Sequence, residues 1–207
     1  MKFSVIAISA IMASNVLTLA AGEFNPVLNI GDRAPAWKQL RGVDGKQHSL
    51  SDLKDKPVVV LVFTCNSCPY AVDYEDRLIA FTARHAQQDA PVALVAINVN
   101  TVKEDLPDRM QERARAKGFK FPYLFDGSQK IAKAYGAGFT PEFFVLDHKR
   151  RVVYMGAMDD NPNAGKVKRR HVELAVKASL AGKTPAVKET VPIGCRIRFA
   201  RRRRKKP

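Results

Sequence analysis

The chain has 207 residues, and its 46% hydrophobic and 27% charged content is that of an ordinary globular domain, which excludes wholesale disorder and collagen-like fibre. Three cysteines are too few for a disulfide-stapled miniprotein or a four-cysteine zinc site. The net charge of +15 is unevenly placed: residues 196–207 hold eight Arg or Lys and no acid, about half of the excess, which argues against a folded nucleic-acid-binding surface.

Lys2 precedes an apolar stretch that stays uncharged until Glu23 and ends in the small residues Ala20, Ala21 and Gly22. That three-part layout predicts a secretory signal peptide over residues 1–21, cleaved after Ala20 or Ala21. Export to the periplasm or the exterior follows, with membrane tethering as the alternative where the segment stays uncleaved. Ser9, Ser14 and Asn15 make it a poor permanent span, and no nearby cysteine offers a lipoprotein anchor.

The turn-rich stretch from Asp32 to Gly45 predicts a hairpin-like opening segment. Pro57 to Phe63 is a continuous β-branched run, the pattern of a strand buried on both faces. From Pro69 to about His85, Ala71, Tyr74, Leu78 and Phe81 recur at helical spacing. Pro91 to Ile97 reads as a second buried strand, and Pro107 to Lys117 as a polar helix closed by Gly118. Phe121 to Phe125 is a short strand, after which Ser128 is predicted to cap a helix ending at Gly136. Glu142 to Leu146 and Arg151 to Met155 should pair as a hairpin. A last helix spans about Lys166 to Leu180, stopped by Gly182 with Pro185 beyond. This alternation predicts one α/β domain over residues 22–195, a mixed sheet flanked by helices. Residues 196–207 repel one another and read as a largely disordered basic tail, which either contacts an anionic surface such as lipid headgroups or is simply solvated.

The chemistry concentrates in Cys65-Asn66-Ser67-Cys68, where the first buried strand gives way to the first long helix. A thiol at a helix N-terminus faces unpaired amides and the positive end of the dipole, which stabilises the reactive thiolate. Cys65, nearer the expected helix start, is therefore assigned as the attacking thiol and Cys68 as the resolving one. A static disulfide stays open, since export permits it. Zinc is disfavoured: there is no second CxxC, and His48, His85, His148 and His171 are scattered. Pro69 stands where a haem-attachment motif needs His.

The segment Phe63-Thr-Cys-Asn-Ser-Cys-Pro-Tyr-Ala71 resembles the active site of the thioredoxin-like superfamily, in particular its redoxin (AhpC/TSA, peroxiredoxin-like) branch. Gly31 to Trp37, Val95 to Asn100 and Phe121 to Asp126 are similar to other segments of that branch, and Gly138-Phe-Thr-Pro-Glu-Phe-Phe144 resembles its proline loop. The resemblance implies a thioredoxin-like fold with an N-terminal β-hairpin extension and a cis Thr140–Pro141 bond facing the dithiol. It also implies that Thr140 and Pro141 offer backbone groups to a substrate peptide. From the residues alone, a proline opening an edge strand is the simpler reading.

Departures from the pattern matter. Thr64 stands where thioredoxins have Trp, Asn66-Ser67 replaces Gly-Pro, and Val59 occupies the place of their buried acid. Asp73, Glu75 and Glu142 are the candidate bases in its stead. The peroxiredoxin pattern Pro-x-x-x-Thr-x-x-Cys fails in both frames: Cys68 finds Cys65 and Leu61, and Cys65 finds Val62 and Val58. Cys195 is either a third redox thiol, able to reach the dithiol or link two chains, or a small packed hydrophobe. Asp159-Asp160-Asn161 is read as turn and cap chemistry.

The residues and the resemblance together predict an exported thiol–disulfide oxidoreductase working through Cys65 and Cys68, with a thiol peroxidase as the alternative and a binding module built on the basic tail as a third. Expected partners are client protein thiols or disulfides and a partner that recharges the dithiol, with no specific nucleic acid. No cofactor or metal is implied, and no glycine-rich phosphate loop is present.

Overall fold

Strand β3 (Val58–Thr64) runs through the middle of a seven-stranded sheet. The computed structural model describes residues 22–200; the segment read as a signal peptide, residues 1–21, and the tail from residue 201 lie outside the described residues. Around β3 stand β1 (Leu40–Gly42), β2 (Gln47–His48), β4 (Val92–Asn98), β5 (Tyr123–Phe125), β7 (Glu142–Leu146) and β8 (Val152–Gly156), in the order β2-β1-β5-β4-β3-β7-β8. Strands β3, β4 and β5 are parallel, whereas β7 and β8 and the β1–β2 hairpin join antiparallel, so the sheet is mixed as expected.

The continuous apolar run of β3 is explained by cores on both faces. Val59, Leu61 and Phe63 pack with Trp37, Leu50, Tyr135 and Phe144, under the opening segment and helix α3 (Lys130–Tyr135). Phe63, Tyr135 and Phe144 meet edge to face with centroids 5.2–5.7 Å apart. Val58, Val60 and Val62 pack on the other side with helices α1 (Pro69–His85), α2 (Pro107–Lys117) and α4 (His171–Leu180). The apolar residues at helical spacing, Tyr74, Leu78 and Phe81, all lie in that core. Gly118 ends α2 at φ 67°, a left-handed conformation that glycine adopts without cost.

Three boundaries differ from expectation. Helix α4 begins at His171, not near Lys166, because the preceding residues are held extended against Asp160: its carboxylate accepts the Lys168 amide at 2.9 Å, and its own amide bonds the Arg169 carbonyl at 3.0 Å. Helix α3 begins at Lys130 after Gln129, and two side chains serve its open amides: the Ser128 hydroxyl accepts the Lys130 amide at 3.3 Å and Asp126 accepts the Ile131 amide at 2.8 Å. The fold also continues past residue 195. Strand β9 (Cys195–Arg196) pairs antiparallel with β6 (Phe139–Thr140), and Ile197 is buried in the core. The first residues assigned to a disordered tail are thus structural, because Arg196 can pair through its backbone while its charge faces outward.

Candidate active site

The parallel strands β3 and β4 end side by side, and the chemistry sits just beyond their carboxyl ends, where α/β sheets place ligands. Strand β3 stops at Thr64 and Pro69 opens α1 from its first position, where a missing N–H costs nothing. The four residues between form a loop pinned by its own polar side chains. Asp105, fully buried, accepts the amides of Asn66 at 2.7 Å and Ser67 at 2.9 Å with one oxygen and the Ser67 hydroxyl at 2.6 Å with the other. The Asn66 side chain donates to Glu104 O at 2.9 Å and accepts the Tyr123 hydroxyl at 3.0 Å. Asn66-Ser67 therefore does the work that a rigid Gly-Pro would do by conformation alone.

Across from this loop lies the proline turn. The Thr140–Pro141 peptide bond is cis, as the resemblance implies. Cys65 Sγ lies 3.4 Å from the Thr140 hydroxyl, and the Cys68 thiol donates to the Thr140 carbonyl at 3.0 Å. Both cysteines are free and buried. Cys195, half-buried, packs against Cys65, Cys68 and Ala71, and its backbone stands opposite Thr140 in the β6–β9 ladder. The packing places Cys195 beside the dithiol, which fits both readings of it.

The start of α1 bears on the roles of the two thiols. Cys68, not Cys65, is the N-cap of α1, with an extended backbone. Its thiol is pulled down to about 5, first by the hydrogen bond from Cys65, against the opposing cost of burial, and then by Cys195 and the Ala71 amide in the helix's first turn. Cys65 is pushed up, first by holding the proton it shares with Cys68, then by burial, with the Asp105 charge adding to the effect. The directions of the two shifts favour ionisation at Cys68 ahead of Cys65, and ionisation gives up the bond that the Cys68 thiol donates to the Thr140 carbonyl. The helix starts at Pro69, as expected from the sequence, but the cysteine nearer that start is Cys68 and not Cys65.

None of the three carboxylates read as candidate bases bonds to a cysteine. Asp73 is exposed, and Glu75 is engaged by Arg113 through two bonds of 2.7 and 2.8 Å. Glu142 is buried and turns back to accept the Gly138 amide at 2.8 Å and the Phe139 amide at 3.0 Å; burial pushes it up to about 7 despite those bonds. The acid that does reach the dithiol loop, Asp105, carries no motif of its own. Its only sequence signal is the polar pair Asn66-Ser67, which needs a partner once buried. Asp159, read as turn chemistry, instead forms a buried pair with Arg77 at 2.8 Å and accepts the Tyr74 hydroxyl at 3.1 Å, tying the loop before α4 to α1.

Known proteins are similar to this chain in sequence and fold. The crystal structure of a hypothetical protein, SMc02350 from Sinorhizobium meliloti 1021, superposes with a TM-score of 0.78 at 37% identity, over 85% of this chain and 97% of that one. The thiol-disulfide oxidoreductase ResA of Bacillus thuringiensis (strain Al Hakam) is 26% identical over 155 residues, 73% of this chain and 84% of its own. A Mycobacterium tuberculosis protein (strain ATCC 25618 / H37Rv), whose name assigns it provisionally to the peroxiredoxins, is 31% identical over 142 residues, 61% of this chain and 83% of its own. The thioredoxin-like fold and the redoxin branch implied by the motifs are thereby confirmed. With residues 30–155 matching the AhpC/TSA family across its strands, dithiol loop and proline turn, the chain belongs to that family.

Proposed function

We propose that this protein is an exported thiol–disulfide oxidoreductase that exchanges disulfides with protein thiols through Cys65 and Cys68. The observation that carries the reading is the pair of free thiols held against Thr140, at 3.4 Å and 3.0 Å, at the start of helix α1. The Cys68 thiolate attacks one sulfur of a client disulfide; a Cys68–client bond forms and the other client sulfur departs as a thiolate. That thiolate takes the Cys65 proton, so no further base is required. Cys65 then attacks Cys68, closes the Cys65–Cys68 disulfide and releases the second client thiolate. Run backwards, the oxidised pair delivers a disulfide to a client dithiol. The recharging partner sets which direction prevails.

The experiment is reduction of insulin disulfides by dithiothreitol, followed by turbidity. The chain should accelerate the reaction, and Cys68→Ser should lower the rate by on the order of a hundredfold or more. Absence of acceleration by the unaltered chain refutes the reading. Fractionation of cells producing the full chain, with the N-terminal mass of the product, tests export.

A thiol peroxidase is the second reading, favoured by one observation: a buried Cys68 at a helix N-cap whose thiol is shifted down, though Cys65 replaces the Thr hydroxyl of the peroxiredoxin pattern. Rapid consumption of hydrogen peroxide that depends on Cys68, without insulin reduction, would decide for it.

A further inference from the structure

The client side of the dithiol is already taken by the chain itself. Strand β9 lies antiparallel along Phe139–Thr140, the backbone edge that the proline turn would present to a peptide, with Cys195 directly opposite Thr140. Gly194 makes the approach feasible: a Cβ there would collide with the Thr140 carbonyl, so only glycine fits. Beyond Cys195 the strand is held by several bonds. The Ile197 amide donates to Gly138 O at 2.8 Å and the Arg198 amide to Asn100 Oδ1 at 3.0 Å. The Gln129 side chain brackets the segment, donating to Arg198 O at 2.9 Å and accepting the Ala200 amide at 2.7 Å. Cys68 thus has two thiol neighbours: Cys65 on its own loop, and Cys195 packed on the same cluster.

We propose that Cys195 is a third redox-active thiol, which exchanges with Cys68 to form an intramolecular Cys68–Cys195 disulfide on a strand that takes the place of a client peptide. The inference rests on the disulfide-exchange reading of the dithiol. In the step, the Cys195 sulfur attacks Cys68 while Cys68 is bonded to another sulfur, either a client's or Cys65. The Cys68–Cys195 bond forms, the earlier S–S bond breaks, and the departing sulfur takes the Cys195 proton. No electrons are gained or lost beyond those of the disulfide consumed.

Oxidised glutathione serves as the probe, with products read by non-reducing peptide mass spectrometry. The Cys65→Ser chain should lose its glutathione adduct at Cys68 and yield a monomer with a linked Cys68–Cys195 peptide pair. The Cys65→Ser, Cys195→Ser double variant should retain the adduct. A Cys65→Ser chain that keeps glutathione on Cys68 while Cys195 is freely alkylated by iodoacetamide overturns the proposal. The Cys195→Ser chain separates the two readings: if it closes Cys65–Cys68 under the same probe, the dithiol reading stands whatever becomes of Cys195. Adding Gly194→Ala to Cys65→Ser should slow Cys68–Cys195 closure by on the order of tenfold or more, because the strand is pushed off Thr140. Closure at an undiminished rate would show that the strand's seat does not bring the thiols together, and would overturn its role in the client's place.

Discussion

Strands β3 and β9 both deliver cysteines to one cluster, and they are built in opposite ways. Strand β3 is seven residues of Val, Leu, Phe and Thr, all buried, paired on both edges and packed on both faces. Strand β9 is two residues, half-buried and exposed, paired on one edge with another two-residue strand. The first is stabilised by apolar area removed from water; the second by backbone bonds, one buried isoleucine and the room that Gly194 leaves. A rigid floor therefore carries the dithiol, and a lightly held strand covers it, so the cover can open without unfolding the floor.

The largest expected effect breaks the floor. Phe63→Ala removes the ring that Tyr135 and Phe144 meet edge to face, and should cost about 3–5 kcal/mol of global stability in guanidinium unfolding. A loss below 1 kcal/mol would mean that the sheet is not the stable partner of the two. Next in size is the joint between floor and cover, where Glu142 binds the amides preceding Thr140. Its carboxyl ionises near 4.5 in the unfolded chain and near 7 in the fold. Between those values unfolding releases a proton, so its contribution is full below pH 4.5, declines as pH rises through 7, and is constant above. The change amounts to about 3 kcal/mol. Glu142→Gln should flatten that part of the stability profile between pH 4.5 and about 7, and an unaltered slope would place the titration elsewhere.

The same contrast explains what could be read from the sequence. Strands β3 and β4 and helices α1 and α2 are legible because burial on both faces or on one stripe leaves a continuous or a helical apolar pattern. The dithiol and the cis Thr140–Pro141 turn are legible through resemblance, since no local pattern specifies a cis bond. The start of α1 at Pro69 is legible, since proline suits the first helical position, but the cysteine nearer that start is Cys68, the residue before Pro69, and not Cys65 as expected. Strands β6 and β9 left no signal, as two residues cannot show a period, and their pairing spans more than fifty positions. Asp105 was invisible for the same reason: it is defined by the Asn66 and Ser67 amides it meets across the fold.

That acid offers a sharper cut, intermediate in size. Asp105→Asn keeps the shape but weakens the charge-assisted bonds to the Asn66 and Ser67 amides and must present a donor NH2 group to one of its former partners. A loss of about 1–3 kcal/mol is expected. Because the Asp105 charge also helps hold the Cys65 proton in place, the variant should lower the pH at which Cys65 is alkylated by iodoacetamide. A stability loss with unchanged alkylation would make Asp105 a loop anchor with no electrical effect on the thiols.

The smallest expected effect belongs to the cover itself. The Arg196 guanidinium lies over the Phe139 ring at 5.5 Å from its centroid, the only side-chain contact between the paired residues of β6 and β9 that combines charge with an aromatic face among the described residues. An exposed contact of this kind contributes about 0.5 kcal/mol. Arg196→Ala should therefore leave global unfolding unchanged within error and speed hydrogen exchange of the Ile197 amide, which bonds Gly138 O, by about twofold. The amides of β3 should exchange as before. If they accelerate together with Ile197, strand and sheet open as one cooperative unit and the division between floor and cover fails; if Ile197 alone responds, the cover moves on its own free-energy scale, as access of a client to Cys68 requires.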